Sequence, residues 1–218
     1  MKRRTLDVLF SVGGLGLAVL LLVLGMVMTS NANFAKSYVK DQLGQQKISF
    51  KTADTLTAEE KQSACLVKYA GQPLLTGKQA ECYANDFIGL HVKTVTPDGA
   101  TYAQLGDQQT ALRAKIAATA ATDPNLATLN KQLADMTTQR ETLFKGETLR
   151  GLLLTSFGFS VFGVKGEQVA TVAYIVAALL ALLSIAGLIH AFRTPKDKAF
   201  APPEQPAGKS DPKPLIGV

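Results

Sequence analysis

Histidine is almost missing from this sequence. There are two in 218 residues, His91 and His190. A non-haem iron or zinc centre built from several imidazoles therefore has too few ligands. Cysteine is equally scarce. Cys65 and Cys82 bracket the stretch CLVKYAGQPLLTGKQAEC. Their C-x16-C spacing is neither the C-x-x-C of redox motifs nor the paired C-x-x-C of zinc ribbons. Charge is also thin, at 18% of residues against about 25% in an ordinary soluble domain. H-E-x-x-H, C-x-x-C-H and a Walker loop are all absent. Gly14-Leu15-Gly16 lies inside an apolar run and is no nucleotide fingerprint. Gly158-Phe159-Ser160-Val161-Phe162-Gly163 is one residue too long for G-x-S-x-G. The expectation is a protein that is not an enzyme and carries no cofactor or metal.

What the chain has instead is two long apolar blocks. Val8–Thr29, VLFSVGGLGLAVLLLVLGMVMT, holds 22 residues without a charge. Val169–Ala191, VATVAYIVAALLALLSIAGLIHA, holds 23, with His190 the one titratable group. About 20 such residues span a bilayer as a helix. The first block follows Lys2-Arg3-Arg4 but exceeds the 7–15 residues of a signal-peptide core, so it reads as a permanent anchor. Neither block contains an acidic residue, which argues against an ion path.

Basic residues set the expected orientation. Lys2, Arg3 and Arg4 precede the first block, and Arg193, Lys196 and Lys198 follow the second. By the positive-inside rule both termini (1–7 and 192–218) face the cytoplasm and residues 30–168 lie outside. That middle segment has 15 basic and 13 acidic residues, so the net +6 reflects topology more than an acidic partner. No recognisable module with a basic face points to nucleic acid. The predicted fold class is a mainly α membrane protein, with two transmembrane helices flanking a mostly helical extracytoplasmic domain. Its localisation is the cytoplasmic membrane.

Within the middle segment, Phe34, Tyr38 and Val39 extend the first helix to a C-cap at Gly44. Lys47–Phe50 is a short extended candidate. Thr57-Ala58-Glu59-Glu60 matches a capping box. Gly71-Gln72-Pro73 and Thr96-Pro97-Asp98-Gly99 mark turns. Ala80, Ala84, Phe87, Ile88 and His91 share a helical face. A lone histidine there is more often structural than a ligand. Residues 104–146 read as a helical hairpin turning near Thr122–Asn125, with Arg140 in an expected apolar slot. Asp123 and Pro124 are its N-cap and first helical residue.

Residues 151–164, GLLLTSFGFSVFGV, are uncharged but short for a span. They are expected to lie at the membrane surface or pack on a partner through Leu152, Leu153, Phe157, Phe159 and Phe162, with a core segment of the outside domain as the alternative. Gly14 and Ala18 on the first block, and Ala173, Ala177 and Ala181 on the second, have the four-residue spacing of close helix packing in lipid. The tail holds six prolines, cannot fold alone, and is expected to lie against a partner. Outside the cytoplasm disulfides persist, so Cys65 and Cys82 read as a disulfide staple rather than a redox pair or half a metal site.

Three stretches carry a resemblance: MKRRTLDVLFSVGGLGLAVLLLVLGMVMTSNANFAKSYVKDQL, CLVKYAGQPLLTGKQAECYANDFIGLH and ETLFKGETLRGLLLTSFGFSVFG. Together they resemble an actinobacterial two-span membrane protein family, over about residues 1–200. The label aromatic ring-opening dioxygenase, often attached to such proteins, does not fit a chain with two histidines. The chain also resembles accessory subunits of the mycobacterial cytochrome bcc–aa3 respiratory supercomplex. That implies a non-catalytic subunit of a hetero-oligomer, in contact with membrane lipids, cytochrome bcc and aa3-type oxidase subunits. A second reading is a cell-envelope sensor or scaffold with an extracytoplasmic binding domain.

Overall fold

The computed structural model describes residues 3–195; the Pro-rich tail lies outside the described residues. Two helices dominate. Helix α1 runs Arg3–Gln45 and α6 runs Leu126–Arg193. Between them come α2 (Ala64–Tyr69), α3 (Gly77–Cys82), α4 (Gly89–Lys93) and α5 (Tyr102–Ala118). Both α1 and α6 contain a segment long and apolar enough to cross a membrane. The chain divides into two compact units, residues 1–27 with 169–218, and residues 28–168.

In the first unit, α1 and α6 lie antiparallel. Gly14 faces Ser184, Gly25 faces the Tyr174 ring, and Ser11 faces Gly187. A glycine at each crossing lets the opposite side chain approach the backbone, where a Cβ would collide. Ala18, Ala173 and Ala177 are buried, while Gly14 and Ala181 are half-buried.

The second unit owns a hydrophobic core. Val39 and Leu43 of α1, Phe50, Leu66, Leu74, Ala80, Ala84 and Ile88, Leu105 of α5, and Leu143 and Leu153 of α6 form one cluster. Short elements start where capping chemistry says they should. Thr76 with Gln79 and Thr101 with Gln104 form reciprocal capping boxes for α3 and α5. Ser63 Oγ accepts from the Leu66 amide to open α2.

Four local expectations change. The sequence reads as a helical hairpin over 104–146, an apolar interfacial or partner-packing segment over 151–164 and a transmembrane helix over 169–191, yet α6 is continuous for 68 residues. It has no proline after Pro124 until Pro195, and glycine alone only weakens a helix. Helix α6 also begins at Leu126 rather than Pro124, because the Asn125 amide bonds back to Asp123 Oδ1 at 2.7 Å in a turn. Gly44 is not the C-cap of α1. The helix continues one residue further, and Lys47 takes the left-handed conformation at φ 53°. The side chain of Leu75 occupies the space beside Gly44. Lys47–Phe50 forms no strand, only an isolated antiparallel bridge between Ser49 and Pro73.

Candidate functional site

The second unit is organised around two braces. The first is covalent. Cys65 on α2 and Cys82 at the end of α3 form a disulfide, with Cα atoms 6.0 Å apart. Asp86 Oδ2 lies 2.7 Å from Cys65 Sγ and accepts a hydrogen bond from Ser63 Oγ at 2.8 Å. The sulfurs and this carboxylate cluster within 4.8 Å. Thiolates bind metals, and these two sulfurs are consumed in their mutual bond. The group therefore acts as a tie between α2 and the following helix.

The second brace is ionic. Glu60 caps its own turn, accepting from the Thr57 amide at 2.8 Å while its amide donates to Thr57 Oγ1 at 3.1 Å. Lys51 Nζ meets Glu60 Oε1 at 2.7 Å, and His91 Nε2 lies 3.5 Å from the same oxygen. The Phe87 carbonyl, which can only accept, takes the Nδ1 proton of His91 at 2.6 Å. Burial pushes the Glu60 carboxyl up, but the bonds from Lys51 and Thr57, with the charges of Lys51 and His91, outweigh it and hold the group below the usual glutamate range. The helix α3–α4 carries a π-turn over Tyr83–Ile88. Its wider turn brings Tyr83 against Phe87 and Phe87 against His91 in tilted ring contacts, with centroids 4.6 and 4.5 Å apart. That is how His91, expected on the buried face with Ala84 and Ile88, comes to the surface beside Glu60.

These braces support a face made by α1 and α6. Phe34 stacks on Tyr38, and Tyr38 meets Phe159 edge-on, both with centroids 5.7 Å apart. Phe34, Tyr38, Leu149, Leu152, Phe159 and Phe162 are all exposed, Phe162 by 76%. An open cleft of about 380 Å³ runs between Tyr38, Leu43, Leu149, Leu152 and Phe159, edged by Gln42, Gln46, Thr155 and Ser156. Leu153, grouped by sequence with the partner-facing residues, instead points into the chain's own core at 3% exposure. Half-buried Phe157 has Lys78 Nζ over its ring at 4.8 Å. The reason is helical phase: on continuous α6, Leu153 is turned into the core, while Leu152 and Phe159 lie about a quarter-turn away along the open cleft beside α1 and Phe162 further round still. Gly163, on the same stripe as Leu152 and Phe159, packs against Ala35 Cβ and the Ala32 carbonyl.

The first unit holds a pair that sequence order hides. Asp7 Oδ2 on α1 lies 4.0 Å from His190 Nε2 on α6. That oxygen is buried and lacks a hydrogen-bond partner. Asp7 stands one residue before the uncharged block, so only the antiparallel pairing of the helices reveals its relation to His190. Arg4 lies over the Phe192 ring at 5.6 Å in the same unit.

No family model, curated protein or solved structure matches this chain.

Proposed function

We propose that this chain is a non-catalytic accessory subunit of an actinobacterial respiratory membrane complex, one that helps associate or stabilise a cytochrome bcc–aa3 supercomplex. The observation that carries the reading is the exposed apolar face. Only 17% of each apolar window in α1 and α6 is buried within the chain. A soluble core helix would bury most of it. In the second unit, Phe34, Tyr38, Leu152, Phe159 and Phe162 remain exposed beside a well-packed core. Contiguous exposed apolar surface marks contact with protein or lipid.

In this reading α1 and α6 cross the cytoplasmic membrane through Val8–Thr29 and Val169–Ala191. Arg3, Arg4 and Arg193 favour a cytoplasmic location for both termini. The disulfide favours an oxidising compartment for the middle unit. The chain's resemblance to supercomplex accessory subunits supplies the partner class: cytochrome bcc and aa3-type oxidase subunits.

Affinity purification of the tagged chain from membranes in mild detergent tests this directly. Cytochrome and oxidase subunits should co-purify in fixed ratio. Recovery of the chain alone, with intact respiratory complexes elsewhere in the extract, overturns it. The second reading, an envelope sensor or scaffold, draws on the 380 Å³ cleft, whose apolar floor and amide and hydroxyl rim suit a small amphipathic ligand.

A further inference from the structure

The hairpin of α5 and α6 carries an arginine where its apolar stripe calls for an aliphatic residue. Arg140 is not a solvated exception. Its guanidinium lies over the Tyr102 ring, 4.3 Å from the centroid. Its Nη1 donates to Gln109 Oε1 at 3.2 Å. Gln109 is 2% exposed and donates its own amide to Thr137 Oγ1 at 2.9 Å. A buried amide held from both sides is a fixed mount, so the guanidinium is pre-oriented. Gly106 leaves room for the guanidinium against α5, since a Cβ there would meet Arg140 Nη2 at 3.0 Å. Arg140 Nε is buried and has no hydrogen-bond partner.

Beside this mount is a pocket of about 290 Å³, lined by Tyr102, Arg113, Arg140, Glu141 and Phe144 around Gln109 and Thr137. Two arginines face one glutamate. Among the described residues neither Arg113 nor Arg140 makes an ion pair, with Glu141 or any other carboxylate. The Tyr102 and Phe144 rings, 5.9 Å apart, form an apolar wall. Paired guanidinium donors match the oxygens of a phosphate or carboxylate, and an aromatic wall accepts a flat apolar body.

We propose that this pocket is a binding site for a small soluble aromatic oxyanion, a phosphate or carboxylate on a ring-sized body. Arg140 and Arg113 take the anionic group, and Tyr102 and Phe144 take the ring. A phosphate-bearing lipid headgroup offers the same anionic chemistry, and the test below separates it from a soluble anion. The site is independent of the respiratory assignment and survives its failure.

The test is calorimetric titration of the full chain in neutral detergent micelles with phenyl phosphate and with benzoate. Phenol serves as the uncharged control. At least one anion should bind saturably with Kd at or below about 1 mM, phenol should not, and affinity should fall as salt rises. Arg140→Gln and Arg113→Gln should each weaken binding at least about tenfold, the loss of one charge-assisted contact. Arg113 is exposed, so its variant keeps the hairpin intact even if Arg140→Gln disturbs it. Absence of saturable anion binding, equal binding of phenol, or binding unchanged in Arg113→Gln overturns the site. So does Arg113-dependent binding to phosphatidylglycerol vesicles without binding of either soluble anion, since the headgroup would then be the ligand.

Discussion

Glu60 is 1% exposed, and Lys51 Nζ reaches its carboxylate at 2.7 Å from a position that is itself 34% exposed. The pair therefore joins a buried anion to a half-buried cation. Breaking it from the cation side strands a charge in the interior. Lys51→Met should destabilise the chain by about 1–3 kcal/mol, below the 3–5 kcal/mol of a fully buried pair because Lys51 is itself half-exposed and the Thr57 amide still donates to the carboxylate. Denaturant titration in detergent micelles, followed by circular dichroism, measures it. A midpoint unchanged from the wild type would show that the pair contributes nothing.

The same pair sets an acid dependence. The Glu60 carboxyl is held below its ordinary value of 4.5 in the folded chain. The unfolded chain therefore binds this proton more readily than the folded one. The stabilisation is fully present above about pH 4.5 and is lost as pH falls through the lower folded value. Exposed Asp98, lowered by bonds from Gln108 and the Ala100 amide, acts in the same direction. Melting temperatures across pH 3–6 should fall toward acid in the wild type, and less steeply in Glu60→Gln.

The disulfide closes a loop between positions 17 apart. The Cys65→Ser, Cys82→Ser double variant should lose about 3 kcal/mol by chain-entropy reasoning. An impermeant thiol reagent added to intact cells should label the wild type only after reduction. Labelling without reductant would show free thiols. Failure to label after reduction would move the unit to the cytoplasmic side.

Glycines on α6 divide by what surrounds them. Gly163 sits against Ala35 Cβ and the Ala32 carbonyl, whereas Gly158 has nothing within 4 Å of an added Cβ. Gly163→Leu should cost about 1–3 kcal/mol through overpacking. Gly158→Ala should gain about 0.5–1 kcal/mol through helix propensity. Opposite signs in the same denaturation assay check the α1–α6 packing within the second unit.

Phe162 and Leu152 bear on function rather than folding. Both side chains are exposed, Phe162 by 76% and Leu152 by 63%. The double variant Phe162→Asp, Leu152→Asp should retain the wild-type circular dichroism and denaturation midpoint. Its co-purification with cytochrome and oxidase subunits should drop severalfold. Full co-purification would remove this face from the proposed interface.

Much of the architecture is written in local pattern. Two uncharged runs longer than 20 residues read as long apolar helices. The capping box at Thr57–Glu60 and the turns at Gly71 and Gly99, both with positive φ, follow from residue chemistry a few positions apart. Two cysteines without metal-ligand spacing already point to each other. Tertiary structure decided everything that depends on phase and partner. Whether α6 breaks at Gly151 or runs through could not be read from glycine alone, because its helix cost of about 1 kcal/mol is small against packing. That continuity turned Leu153 inward and left Leu152 and Phe162 outside. A π-turn of one extra residue moved His91 out to Glu60. Asp7 and His190, and Arg140 and Gln109, are far apart in sequence and meet only because antiparallel helices bring them together. Sequence fixes which groups a helix carries; packing against a second helix decides which of them meet.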